Sequence, residues 1–150
     1  MNISPGGANA ALIQFAWMPS IEFGFQKNLA DLTAALEPVE QMGGPTFTGR
    51  AMQLAIDQVF TDGGRVDATP IMVIITDGMA FDDIITPATN FKGDEGLVFV
   101  VGVGQASEWQ LNQIVSVNSE TGKKYLWFDD WSALETIYKE IAETACVQSE

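Results

Sequence analysis

Two stretches, PIMVIITDG (residues 70–78) and LVFVVGVG (residues 97–104), are apolar until their carboxyl ends. A strand with one wet face alternates apolar and polar residues, so strands without alternation are expected to be covered on both faces. Such cover comes from helices on either side of a mostly parallel sheet. The first stretch ends in Asp77, and in an open α/β sheet ligands sit at the carboxyl ends of the strands. Asp77 is thereby a candidate site residue, although an Asp before Gly is also an ordinary turn residue.

The rest of the chain reads as strands alternating with amphipathic helices. AALIQFAW (residues 10–17) suits a buried strand, and IEFGF (residues 21–25) alternates as an antiparallel edge strand paired with it. Asn28 is placed to cap a helix whose Leu29, Leu32, Thr33 and Leu36 share a face. Thr48 is placed to cap the next, where Ala51, Met52, Ala55, Ile56, Val59 and Phe60 fall at helical spacing before a stop at residues 61–64. Asp82 or Asp83 starts a short helix that Pro87 limits or distorts. Ser107 with Gln110 has the spacing of a capping box, as does Ser132 with Glu135 before the last helix. KKYLWFDD (residues 123–130) supplies a further strand. The expected fold is α/β: a single domain over residues 1–150 with a doubly wound, mostly parallel sheet, flanking helices and one antiparallel edge strand.

Composition narrows function. A net charge of -13 with 7 basic residues argues against nucleic acid or an anionic membrane surface as partner. The 47% of hydrophobic residues excludes a disordered polyanion. No apolar run is long enough to span a membrane, and no signal peptide follows Met1. Histidine is absent, which removes the usual general base and the commonest zinc ligand. Cys146 is the one cysteine, readable as a buried thiol or as half of a disulfide with a partner elsewhere.

Three features fall in order: a strand-rich start ending in an edge hairpin, the loop and helix start GGPTFTGRAM (residues 43–52), and IITDG (residues 74–78) at a strand tip. With GLVFVVGVG downstream, this order resembles the von Willebrand factor A domain, the family of integrin inserted domains, matrilins and the non-collagenous domains of many collagens. The resemblance covers essentially the whole chain. It implies a Rossmann-like fold and a metal-ion-dependent adhesion site, with Thr46 as a threonine ligand and Asp77 as an aspartate ligand acting through water. Mg²⁺ or Mn²⁺ would be the ion, and a partner carboxylate would take its open position.

The sequence departs from the family at one point: the DxSxS of the first loop is missing, together with the first strand and first helix. The domain is therefore expected to be amino-terminally truncated and to bind the ion weakly or not at all. In the family order the missing strand lies between AALIQFAW and PIMVIITDG, so those two strands are left without their shared neighbour. Each unpaired buried amide or carbonyl costs about 1–3 kcal/mol, against a net stability of about 5–15 kcal/mol. The two strands would close up, or the gap would be filled by another chain, or the chain would be a fragment that folds poorly. Extracellular members also imply a disulfide from Cys146 to a cysteine upstream of this chain.

The leading expectation is a non-enzymatic adhesion module of the extracellular matrix or cell surface, binding collagen or another matrix protein through a carboxylate. The alternative is a metal-independent scaffold or assembly domain whose free strand edges recruit a partner. A remote alternative is a nucleotide-dependent Rossmann-like enzyme, suggested by GVGQAS (residues 102–107), which has only two of the three glycines of G-x-G-x-x-G.

Overall fold

The structure, a computed structural model, describes residues 2–148, without the side chains of residues 133 and 146–148. The thiol of Cys146, and with it the implied disulfide, lies outside the described residues.

Strands β1 (Ala10–Phe15) and β2 (Pro19–Gln26) form an antiparallel hairpin, as the alternation of the second predicts. Helix α1 (Leu29–Leu36) follows, its first turn held by the Asn28 side chain, which accepts from the Asp31 amide at 2.9 Å. The apolar face expected for α1 is not buried: it lies against β2 with Leu29 and Leu36 open to solvent. Helix α2 (Thr48–Leu54) runs into a π-helical stretch (Ala55–Phe60) and a last turn, α3 (Thr61–Gly63). Its spacing is borne out, since Ala51, Met52, Ala55 and Val59 are all buried.

The parallel sheet contains β3 (Ile71–Thr76), β4 (Leu97–Val103) and β5 (Leu126–Asp129), in the order β3-β4-β5. Helices α4 (Ile85–Gly93) and α5 (Glu108–Ile114) make the crossovers, and α6 (Leu134–Gln148) closes the described chain after a 3-10 turn (Trp131–Ala133). That turn changes the expected cap of the last helix: the Asp130 carboxylate, not Ser132, accepts from a backbone amide. Pro87 does not limit α4. It occupies the third position of that helix, where a missing N–H leaves no intrahelical bond unmade, and it is buried.

Strand β4 carries the core. Val98, Phe99, Val100, Val101 and Val103 have no exposed surface, so its unbroken apolar run is covered on both faces, as expected. The matching expectation for β3 needs correction. Met72, Ile74 and Thr76 are buried, but Val73 is 43% and Ile75 48% exposed, so only one face of β3 is covered.

The expected gap is visible. The hairpin and the parallel sheet are separate sheets, and no ladder joins β1 to β3 among the described residues. The two strands have not closed up. Among the described residues each keeps one edge without a strand partner, and β3 in addition has one bare face.

Helix α4 ends in a left-handed turn. Glu95 has φ 64° and the Gly96 amide donates back to the Phe91 carbonyl at 2.9 Å. A side chain in this conformation costs about 1 kcal/mol that glycine avoids. Glu95→Gly is therefore expected to raise the urea midpoint by the equivalent of about 1 kcal/mol with an unchanged slope. An unmoved midpoint would show that the turn carries no such strain.

Candidate functional site

The carboxyl end of β3 meets the loop that enters α2. Asp77 is exposed at the strand tip, followed by Gly78. A Cβ on Gly78 would lie 3.3 Å from the Thr46 Cβ and closer still to the Thr46 hydroxyl, so only glycine lets the two loops approach this far. The two residues singled out by sequence thus come from loops in direct contact, with Thr46 partly buried and Asp77 open. Two backbone bonds fix this meeting: the Phe47 amide donates to the Ala16 carbonyl at 3.2 Å, and the Phe81 amide donates to the Thr46 carbonyl at 3.0 Å. On the other side, the Gln110 side chain donates to the Ala80 carbonyl and accepts from its amide, at 3.0 and 2.9 Å.

Neither neighbouring aspartate is free. The Asp82 carboxylate accepts from the amides of Gly49 and Arg50 at 3.0 and 2.8 Å and so caps α2 from 33 residues away. Thr48 does not serve as that cap: it is the first residue of the helix, buried, and the N-cap position is held by Phe47 without a side-chain bond. Gly49 is needed for the contact, because a Cβ there would collide with the Asp83 carbonyl. The Asp83 carboxylate starts α4, accepting from the amides of Ile85 and Thr86 at 2.9 and 3.1 Å and from the Thr86 hydroxyl at 2.5 Å. The Thr86 hydroxyl and then its amide hold the Asp83 carboxyl below the ordinary aspartate range.

Among the described residues, no three His, Cys, Asp or Glu side chains converge as a metal cluster. Thr46 and Asp77 offer two oxygens where Mg²⁺ takes six ligands, so these side chains do not by themselves make a resident cation site. GVGQAS, the basis of the nucleotide alternative, is a strand end and a helix start. The Ala106 amide donates to the Val103 carbonyl, and Ser107 caps α5 by accepting from the Gln110 amide.

Sequence reasoning missed an aromatic row beside this site. Trp17 meets Phe47 edge-on at a centroid distance of 5.1 Å, Phe47 lies 6.3 Å from Phe81, and the Arg50 guanidinium sits 4.4 Å over the Phe47 ring. The three rings come from three loops with no common periodicity; the only sequence signal was that the loops themselves belong to one end of the sheet.

A family model described as the von Willebrand factor type A domain matches residues 1–140. The collagen alpha-6(VI) chain of Homo sapiens is 28% identical over 151 residues, covering 98% of this chain and 6% of the relative. Matrilin-1 of Gallus gallus is 30% identical over 155 residues, covering 100% of this chain and 31% of the relative. This chain therefore spans less than a third of the length of either relative. Among solved structures, proximal thread matrix protein 1 from the mussel byssus superposes with a TM-score of 0.82 at 22% identity, over 95% of this chain and 37% of that one. A second structure of that mussel protein has a zinc-occupied MIDAS motif.

Two outcomes test the loop clamps. Asp82→Ala is expected to cost about 1–2 kcal/mol in urea denaturation, the magnitude of a lost helix cap. A lowered folded-state pKa makes the Asp83 contribution present above the unfolded value and lost as pH falls through the folded one. The stability difference between the native chain and Asp83→Asn should accordingly shrink below about pH 4; a difference independent of pH would contradict the assigned cause.

Proposed function

The chain belongs to the von Willebrand factor type A domain family, and from that premise we propose that it is a non-enzymatic adhesion module that binds a matrix protein. The observation that supports this most is the contact of the Thr46 loop with the Asp77–Gly78 turn at the carboxyl end of the parallel sheet. That end is where a ligand of an open α/β sheet is held. Its relatives include collagen and matrilin chains, which supports an extracellular setting and a matrix partner such as a collagen. Among the described residues no helix is long and apolar enough to cross a membrane.

In the finer form of this reading, Thr46 and Asp77 are the two side chains that would face a divalent cation, Mg²⁺ or Mn²⁺. The ion's chemistry is to offer an open coordination position to a partner carboxylate. A hydroxyl ligand neutralises less of the metal charge than a carboxylate does, which favours the incoming acid. With only two protein side chains on an ion that takes six ligands, the affinity is weak.

A second reading has an observation of its own. The unpartnered edges of β1 and β3, with Val73 and Ile75 bare beside them, suit an assembly domain that gains a strand from another chain without metal.

Titration with Mn²⁺ followed by water-proton relaxation separates the two. The cation reading expects weak saturable binding that Asp77→Ala removes and Thr46→Ala reduces severalfold. Binding that survives Asp77→Ala would sink the site assignment, and no binding at all would refute the cation reading for this chain. A concentration-dependent dimer in light scattering would then favour strand recruitment.

A further inference from the structure

The sheet end carries a surface that the cation reading leaves unused. Trp17 is 63%, Met18 59% and Phe81 65% exposed; the first two contact the Arg50 side chain, and Phe81 lies beside the Phe47 ring that Arg50 covers. Single exposed apolar residues are ordinary, but large ones in mutual contact mark binding surfaces. Trp17, Phe47 and Phe81 form a continuous row, with the Arg50 guanidinium on the face of the middle ring.

The state of Arg50 indicates what is to be bound. Its Nη1 donates to the Trp17 carbonyl at 3.2 Å and lies 3.9 Å from the Met18 sulfur, leaving most of its five N–H donors without a protein partner in those contacts. Among the described residues it has no ion pair, although the chain carries 20 acidic residues against 7 basic ones. The Asp82 carboxylate is bound to the Arg50 backbone amide and not to its guanidinium. A planar fork stacked on an aromatic ring and held from behind by a carbonyl is preorganised for bidentate pairing with a carboxylate. In a chain this acidic, that fork is a local site for an anion where the surrounding surface repels anions.

We propose that this surface binds a protein segment presenting an aspartate or glutamate carboxylate to Arg50 and a neighbouring apolar side chain to the Trp17 and Phe81 rings, with no metal ion involved. The proposal rests on the reading of the chain as a protein-binding module and is independent of the cation site. It also gives the partner's chemistry: an acidic residue flanked by large apolar residues. The ring row supplies apolar area and the guanidinium supplies selectivity for charge.

The test is an NMR titration of the intact chain in EDTA with two synthetic peptides, acetyl-Gly-Leu-Asp-Leu-Gly-amide and its Asn counterpart, followed at the Trp17 indole N–H and the Arg50 Nε–H. Saturable shifts of both signals with the Asp peptide are expected, with the Asn peptide about tenfold weaker, the loss of one charge-assisted pair. Arg50→Gln keeps the backbone amide that Asp82 caps, so it should fold, and it should erase the difference between the two peptides. Trp17→Ala should weaken both peptides alike. Equal binding of the two peptides, a preference that survives Arg50→Gln, or no saturable shift up to about 10 mM peptide would overturn the proposal. Peptide binding that appears only with Mn²⁺ would also overturn it and return the carboxylate to the cation site. A negative Mn²⁺ titration of the peptide-free chain would refute only the cation reading.

Discussion

Strand β4 is the constraint on which the other elements depend. Among the described residues it is the only strand of the parallel sheet paired on both sides, with β3 along Ile71 to Thr76 and with β5 along Leu126 to Asp129. Five of its seven residues have wholly buried side chains, and fully burying one such side chain stabilises by about 1.5–3 kcal/mol. Phe99 stacks on Tyr125 and Trp127 at 4.4 and 5.8 Å, which ties β5 to the core through a strand of only four residues. Ser116 closes the other side: its hydroxyl accepts from the Val98 amide and its own amide donates to the Val98 carbonyl, so the end of the α5 segment is held to β4 by polar bonds inside an apolar core. With β4 so held, β3 has a fixed register and its tip delivers Asp77 at one height relative to the loops around it.

The hairpin has no such anchor in a sheet. Its attachment runs through the packing of Ile13 and Phe15 on the core and through residues 46 and 47, whose two backbone bonds reach Ala16 on one side and Phe81 on the other. The Asp82 cap adds a third tie from the loop after β3 to the start of α2. The candidate site is therefore also the seam between the two halves of the molecule, which is why Gly49 and Gly78, the residues of closest approach, both lie there.

How much of this was legible in the sequence depends on how local the cause was. The strand identity of LVFVVGVG followed from its unbroken apolar run, and the Asn28 and Ser107 caps from the residues immediately beside them. The meeting of the Thr46 and Asp77 loops was legible from the family resemblance, as was the missing neighbour between the hairpin and β3, but not whether those strands would close up or stay apart as two sheets. What could not be read was set by contacts distant in sequence. Nothing near Gly49 announces a cap from Asp82, and nothing in PIMVIITDG distinguishes a strand covered on both faces from one with a bare side. The aromatic row is of the same kind, since each of its rings sits in a different loop.

The seam gives the bound state a thermodynamic meaning. Trp17 belongs to the hairpin side and Phe81 to the sheet side, joined across residues 46 and 47 and through Arg50, which bonds the Trp17 carbonyl and the Asp82 carboxylate. Local opening of the hairpin, which no ladder joins to the parallel sheet among the described residues, would separate the two rings and dismantle the surface without unfolding β3, β4 and β5. A ligand spanning both rings can engage only the docked form, so each increment of its affinity becomes an increment of hairpin docking. Occupancy would then be reported by slowed amide exchange along the whole of β1 and β2, including the ends remote from the Trp17 turn.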